Sequence, residues 1–534
     1  LDELISLNEE QIEEVFYSDL SFGTGGLRGL MGVGTNRVNV YTIRKATLGF
    51  ANFIKKSGRN GGVAIAYDNR HYSKVFAKEA AMVLAAQGIK SYVFPELRPT
   101  PMLSYAVRYY QCAGGIMITA SHNPKTYNGY KAYDHTGAQL NLLDAEKVIN
   151  EINKIENPFE IDVIDNELIT STSSALERSY LKEMEKLQLN QMPKPLKIVY
   201  SPLHGTGGPI IPELLRQHDY DVYPYAPQMI VDPSFSNTKS SNPEEQEAYE
   251  ETLKYAKAID ADLIMVTDPD ADRLGIAVKH QGEFHLLSGN QTASLELYYI
   301  LTEKKRRDTL PKKGFVYTTN VTTDLIKVMA EDFQMHVETT LTGFKFIGEK
   351  AEKNKEIGSY IFGCEESYGS LILPFVRDKD AVQAVFLLAE IANYVFHKGQ
   401  TLMDYLEEIY QKYGYYYEYT KSLTLTGLSG LDQIKHIMTH FRKNPPTLSN
   451  KRLIQTDDVE KGTRDQQGVI TKLDLPLSNV VKYYYEDNTW VVFRPSGTEP
   501  KLKIYYGIKS DSMASAKAYV EALNTQILEE IERL

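Results

Sequence analysis

Cysteine is nearly absent from this 534-residue chain: Cys112 and Cys364 are the only two. Two thiols cannot build a disulfide framework or a thiolate metal site, so both are expected to be reduced. No stretch approaches the roughly 18–20 apolar residues of a membrane span. Positive charge is in deficit, 59 Lys and Arg against 70 Asp and Glu, giving a net charge of −11. That balance argues against nucleic-acid or membrane-surface partners. No low-complexity segment occurs. The N-terminus, Leu1-Asp2-Glu3-Leu4-Ile5, is acidic and amphipathic, unlike a signal peptide, and it starts without methionine as a trimmed chain would. A cytoplasmic protein is the expectation.

What is present fits a soluble globular protein: 42% apolar and 24% charged residues. The length is too great for one core and suggests about three or four domains. Residues 1–20 read as one amphipathic helix, with Leu4, Ile5, Ile12, Val15 and Phe16 as its apolar stripe. A loose repeat follows, in which an apolar strand leads through a polar loop into a helix. It opens at Val63–Tyr67 with a loop from Asp68 to Ser73, again at Leu196–Tyr200, and a third time at Phe315–Tyr317. Each opening is followed by a second apolar strand: Ile116–Ile118, Leu263–Val266 and Tyr360–Phe362. Such repetition implies α/β layers, whose ligands gather at the carboxyl ends of strands. Three similar mixed α/β-sheet domains would then give one loop each to a central cleft. From about residue 411 the pattern changes to antiparallel strands at Lys482–Tyr485, Trp490–Phe493 and Leu502–Tyr506, then an amphipathic helix running to Leu534. This predicts a C-terminal α+β domain. The expected boundaries are 1–193, 194–305, 306–410 and 411–534.

The loops after these strands carry the chemistry. Thr119-Ala120-Ser121-His122-Asn123-Pro124 follows the apolar run Gly114–Ile118 and is closed by Asn128-Gly129-Tyr130-Lys131. A serine just past a strand, beside a histidine and ten residues before a lysine, is placed like a nucleophile. Ser-His-Asn alone reads more readily as a polar loop with an Asn-Pro turn. Asp268-Pro269-Asp270-Ala271-Asp272-Arg273 follows Leu263–Val266. Three carboxylates at alternate positions repel one another unless a cation lies among them. Oxygen-only ligands on a short loop suit Mg²⁺. An EF-hand fails here, because Arg273 and Lys279 stand where it needs Gly and Glu. An Asp-x-Asp phosphatase, which also places its acids after a strand, stays open.

Glu365-Glu366-Ser367 follows the third strand; its carboxylate and hydroxyl could bind neighbouring sugar hydroxyls, a weak signal alone. Arg494-Pro495-Ser496-Gly497-Thr498 offers a guanidinium fork, two hydroxyls and a glycine amide, which favours phosphate binding over a plain hairpin turn. The glycine-rich segment Phe22–Gly29, with Arg28, permits tight turns but is weak evidence by itself.

Taken together, these strings resemble the α-D-phosphohexomutases, the phosphoglucomutase/phosphomannomutase superfamily. Thr-Ala-Ser-His-Asn-Pro is similar to the family's phosphoserine loop, and Asp268–Arg273 to its metal loop, with Pro269 and Ala271 in place of glycines. Glu365-Glu366-Ser367 is similar to its sugar loop in the glucose-type form, and Arg494–Pro500 to its phosphate loop. Phe22–Arg28 and Gly34–Arg37 are most like the branch of bacterial α-phosphoglucomutases and phosphoglucomutase/phosphopentomutases. The resemblance spans nearly the whole chain, one motif per expected domain.

It implies phosphoryl transfer through phospho-Ser121, with Ser121, Asp268, Asp270 and Asp272 on Mg²⁺ and glucose 1,6-bisphosphate as intermediate and activator. Arg28, Lys131, His122 and Lys345 become phosphate contacts, proton handlers or loop orienters. Arg273, Thr342, Gly343, Glu365, Ser367, Lys379, Arg494, Ser496, Gly497 and Thr498 become substrate contacts. The implied reaction interconverts glucose 1-phosphate and glucose 6-phosphate, with phosphopentomutase, phosphomannomutase or bisphosphate synthase activity as neighbours. The partners are small sugar phosphates, and the assembly a monomer or dimer. A silent sugar-phosphate sensor would have lost Ser121 or the Asp triad, and neither is lost.

Overall fold

Three times along the chain a buried strand leads into a loop and returns antiparallel beside itself, and each of these turns is one of the chemistry-bearing loops. The structure, a computed structural model, describes residues 2–23, 25–425, 428–448, 451–496 and 501–534. The chain divides into two compact units, one of residues 1–317 with 343–403, the other of residues 318–342 with 404–534.

In the first unit, a six-stranded sheet runs in the order Gly26–Leu30, Tyr127–Tyr133, Gly114–Ile118, Val63–Tyr67, Ser91–Val93, Ile169–Ser171. The last four are parallel, and the first two are antiparallel additions at one edge. Val63–Tyr67 and Gly114–Ile118 are buried at every residue, as a parallel strand covered on both faces must be. One face, with Ile65, Ile116 and Ile118, packs with Phe50 and Ile54 of helix Val40–Ser57 and with Phe76 of helix Ser73–Ala86. The other face meets helix Thr100–Tyr109, where Gly115 lies against Leu103 and Val107.

A five-stranded sheet repeats the plan in the order Glu283–Leu287, Leu274–His280, Leu263–Thr267, Lys197–Ser201, Asp221–Pro224. Leu263–Thr267 is wholly buried and returns antiparallel as Leu274–His280. In the third repeat, Gly314–Thr319 pairs in parallel with Ser359–Glu365, which turns back into Gly369–Leu371. The expected strands Ile116–Ile118, Leu263–Val266 and Tyr360–Phe362 are thus present and slightly longer. Cys112 and Cys364 are both buried.

The helix expected over 1–20 is instead two, Asp2–Ile5 and Glu9–Phe16. Asn8 breaks the run because its side chain caps the second helix, exchanging hydrogen bonds with Gln11.

The second unit contains a seven-stranded antiparallel sheet in the order Tyr415–Thr424, Lys501–Ser510, Trp490–Pro495, Val481–Tyr485, Leu453–Asp458, Thr463–Gln466, Val469–Lys472. Val491, Phe493, Ile504 and Tyr506 pack with Phe441 of helix Leu428–Lys443 and with Val520, Leu523 and Ile527 of helix Met513–Glu532. Residues 318–342 belong to this unit, with helix Leu325–Asp332 and strand His336–Thr340. Asp332 receives Lys412 and the Tyr413 hydroxyl, and Lys482 donates to the carbonyl of Asn320, which anchors the segment. Among the described residues, no helix is long and apolar enough to cross a membrane.

Candidate active site

The antiparallel return explains why residues distant in sequence meet. Strand Tyr127–Tyr133 lies between Gly114–Ile118 and Gly26–Leu30, with Lys131 opposite Met117 and Arg28 opposite Gly129. At Gly129 a Cβ would stand 2.6 Å from the Thr119 carbonyl oxygen and 2.7 Å from that of Leu27. Only glycine lets the three strands close here. Arg28 then reaches Asn123 of the serine loop, Nη1 to Oδ1 at 2.8 Å.

Ser121 is held in an unusual backbone state, φ +51°, that L side chains rarely adopt. Its amide donates to Thr119 Oγ1 (2.8 Å), and Thr119 donates to Asp68 Oδ2 (2.7 Å). Arg70 straps the loop from below. Its guanidinium donates to the carbonyls of Ser121 (2.5 Å), Asn123, Pro124 (2.8 Å) and Tyr127 (3.1 Å), and its Nε lies 3.2 Å from Asp68. Ser241 adds a bond to the His122 carbonyl, 3.0 Å. Such over-determination is what allows a strained residue to persist at a reactive position.

The Ser121 hydroxyl donates to Asp268 Oδ2 at 2.9 Å and lies 3.3 Å from His122 Nδ1. Burial, and then the Arg273 and Arg28 cations, push the His122 imidazole well below its ordinary range, so it is neutral at pH 7. Asp268 also accepts the amides of Asp272 (3.1 Å) and Arg273 (3.0 Å). Asp270 accepts Lys131 Nζ (2.7 Å) and Thr100 Oγ1 (2.8 Å). Lys131 is 3.5 Å from Asp272, and Lys379 is 3.3 Å from the same oxygen. Arg273 pairs with Glu244 and stands 3.8 Å from Asp272.

Burial and the neighbouring Asp270 and Asp272 charges push Asp268 well up. Burial likewise opposes charge on Asp270, but Lys131 outweighs it and holds that carboxyl well below the usual range. Burial also disfavours the Lys131 ammonium, yet Asp270 and Asp272 keep it firmly charged.

One carboxylate oxygen from each of the three aspartates lies within 4.8 Å of the others. Asp270 Oδ1 and Asp272 Oδ1 are buried and have no hydrogen-bond partner among the described residues. Oxygen-only donors with two orphaned anionic atoms are the donor set a hard divalent cation takes. The residues fit such an ion.

The loop of Glu365 and Ser367 joins the same cluster. Lys379 Nζ bridges Asp272 to Glu365 Oε2 (3.5 Å), and Glu365 Oε1 accepts the Gly343 amide (2.7 Å). Ser367 is half-buried in the turn beyond it. Lys345 lies 5.1 Å from the Phe346 ring centroid, and burial pulls its ammonium down to about 8.

The structure therefore brings together Arg28, Ser121, His122, Lys131, the three aspartates, Arg273, Gly343, Glu365 and Lys379. Thr342, Arg494 and Ser496 belong to the second unit. There Arg494 Nη1 donates to Tyr505 Oη (3.1 Å) and the Ser496 amide to the Lys501 carbonyl (2.7 Å). Gly497 and Thr498 lie outside the described residues. Residues missed from sequence are Asp68, Arg70, Thr100 and Ser241. For Asp68 and Arg70 the signal was topological: like the serine loop, they follow the carboxyl end of a buried parallel strand.

Four family models match in order: phosphoglucomutase/phosphomannomutase α/β/α domain I at residues 19–159, domain II at 178–282, domain III at 288–413 and the C-terminal domain at 449–525. A phosphoglucomutase of Staphylococcus epidermidis is 38% identical over 514 residues, covering 94% of this chain and 93% of the relative. One of Staphylococcus aureus is 38% identical over 523 residues, covering 96% and 93%. Among solved structures, the open form of parafusin (phosphoglucomutase) from Paramecium aligns with TM-score 0.72 at 17% identity, over 97% of this chain and 96% of that one. A phosphoglucomutase/phosphomannomutase family protein from Burkholderia thailandensis gives 0.68 at 17%, over 96% and 97%. With four models in sequence and close relatives matched nearly end to end, this chain belongs to the phosphoglucomutase/phosphomannomutase family.

Proposed function

We propose that the chain interconverts glucose 1-phosphate and glucose 6-phosphate through a phosphorylated Ser121 and a glucose 1,6-bisphosphate intermediate. The observation that carries this reading is the Ser121 hydroxyl, 2.9 Å from Asp268 at the edge of an aspartate cluster with two orphaned oxygens. In the first half-reaction the sugar's 6-hydroxyl attacks the phosphorus of phospho-Ser121. A P–O bond to O6 forms, the P–O bond to Oγ breaks, and the proton from O6 goes to the serine oxygen. The bisphosphate then turns around; Ser121 Oγ attacks its 1-phosphoryl group, the P–O1 bond breaks, and the serine proton passes to O1, leaving glucose 6-phosphate.

Positioning and charge stabilisation supply most of the rate in such transfers. Mg²⁺, held by Asp268, Asp270, Asp272 and the Ser121 side chain, would offset the charge of the phosphoserine and of the transferring group. Lys131 and Arg28 present cations to the same phosphoryl oxygens. His122, whose Nδ1 lies 3.3 Å from the serine oxygen, orients the loop. Glu365, Ser367 and Lys379 read sugar hydroxyls in both orientations of the bisphosphate. Arg494, Ser496, Gly497 and Thr498 anchor the distal phosphate, with Thr342 and Lys345 as further contacts. The four functional regions correspond to divisions near 193, 305 and 410, in a cytoplasmic enzyme.

The test is turnover of glucose 1-phosphate with Mg²⁺ and catalytic glucose 1,6-bisphosphate, beside ribose 1-phosphate and mannose 1-phosphate. The reading expects glucose 1-phosphate to have the highest kcat/KM and Ser121→Ala to abolish turnover. A preference for the pentose phosphate would move the assignment to phosphopentomutase.

A further inference from the structure

Glu296, in the middle of helix Gly289–Arg306, is 1% exposed. Neither of its carboxylate oxygens has a hydrogen-bond partner among the described residues, and neither has the hydroxyl of Thr292 one turn earlier. Both side chains border a cavity of about 10 Å³, lined also by Leu274, Tyr368, Gly369, Ser370 and Ala384. That is room for about one water molecule. Tyr368, Gly369 and Ser370 are the tail of the sugar loop. Tyr368, at φ +65°, is kept in a left-handed backbone state, and its carbonyl accepts the Leu274 amide at 2.9 Å. The start of the helix also abuts this loop: a Cβ on Gly289 would stand 2.3 Å from the Glu366 carbonyl oxygen.

We propose that Glu296 is a positioning residue for the sugar loop. As a neutral acid sharing one buried water with Thr292, it supports Tyr368–Ser370 and, through them, Glu365 and Ser367; once ionised, it undoes that support. The proposal rests on the reading of Glu365 and Ser367 as sugar contacts.

Burial pushes the Glu296 carboxyl up to about 8. Ser370 lies near enough to favour the ion, yet no hydrogen bond of normal geometry forms between them. On the cavity wall the other titratable group is Tyr368, whose hydroxyl burial holds above its ordinary range. Strand Ser359–Glu365 brings Glu365, paired with Lys379. Helix Ala381–Phe396 brings Glu390, tied to Tyr299, and its cap Asp380, tied to Tyr180. Strand Leu274–His280 brings Lys279, paired with Asp260, and His280, bonded to Thr401; Arg273 before it pairs with Glu244. On the helix itself Glu303 is held by Arg306. None of these charges is among the influences on Glu296.

The test compares wild type with Glu296→Gln, which keeps the shape and cannot ionise. The ratio of wild-type to variant KM for glucose 1-phosphate is expected to rise about tenfold between pH 7 and pH 9, since only the protonated form binds well. Lys345 titrates in both proteins and cancels in the ratio. Amide hydrogen exchange in residues 365–370 reads the loop without substrate, and is expected to quicken in wild type relative to the variant above pH 8. A KM ratio that stays flat overturns the positioning role. An exchange ratio that stays flat overturns it even if the chain turns over no sugar phosphate, a result that would separately sink the mutase reading. Thr292→Val, which removes the water's second partner, is expected to move the exchange limb to higher pH; an unmoved limb there likewise overturns the proposal.

Discussion

Two buried acid sites in the first unit share a feature and differ in its consequence. Asp270, Asp272 and Glu296 are all nearly inaccessible, and each has a carboxylate oxygen with no hydrogen-bond partner among the described residues. Around the aspartates stand Lys131, Lys379, Arg273, Thr100 and two backbone amides. Around Glu296 stand aliphatic carbons and the hydroxyl-bearing side chains of Thr292, Tyr368 and Ser370. Burial penalises charge in both places, and only the neighbours decide whether the penalty is met. Asp270 therefore stays ionised, and Glu296 takes a proton up to about pH 8. The same depth in the protein yields a cation-ready cluster in one place and a neutral acid in the other.

The comparison can be broken most forcefully at Arg70. Arg70→Ala leaves Asp68 buried without its cation, with only the Thr119 and Ser73 hydroxyls and a backbone amide to hold its charge. It should cost about 3–5 kcal/mol of stability, measured by denaturant unfolding at pH 7. Asp68 would then protonate, so part of the loss should return on acidification; a variant as stable as wild type at pH 7 contradicts the strap. Next in size is Asp270→Asn, which removes one cation-ready charge and the stronger partner of Lys131. It should lower kcat by about 10²–10³-fold and weaken Mg²⁺ activation in a metal titration of turnover. Undiminished kcat with unchanged metal dependence would contradict the cluster's role. The smallest effect is expected at Ala271, buried at φ +51° between Asp270 and Asp272. Ala271→Gly relieves the backbone but frees the unfolded chain, so thermal unfolding should shift by no more than about 1 kcal/mol equivalent.

How legible these sites were in sequence follows from the same physics. The serine, aspartate and sugar loops stood out because dense polar chemistry follows an apolar run, and the fold does place each at a turn between a buried strand and its return. The amphipathic pattern of residues 1–20 was legible but its interruption was not, because Asn8 acts through a cap, and Ile5 and Ile12, seven residues apart, still fall on one helical face. Composition did not single out Arg70, since Asp68–Ser73 reads like any exposed loop and its four carbonyl partners come from 51 to 57 residues away; only its place after a buried parallel strand pointed to it. Glu296 lies between Leu295 and Leu297 and carries no motif of its own; only packing shows that no charge faces it. Arg494 is expected from sequence to be a phosphate fork; its described partner is Tyr505, on the strand next to its own.

The central claim is that Ser121 carries the phosphoryl group. Intact mass and phosphosite mapping, with and without glucose 1,6-bisphosphate, test it most directly. The account predicts one added phosphoryl group on Ser121, absent in Ser121→Ala. An unmodified Ser121, or label on Asp268, would contradict it and point to an aspartyl phosphatase.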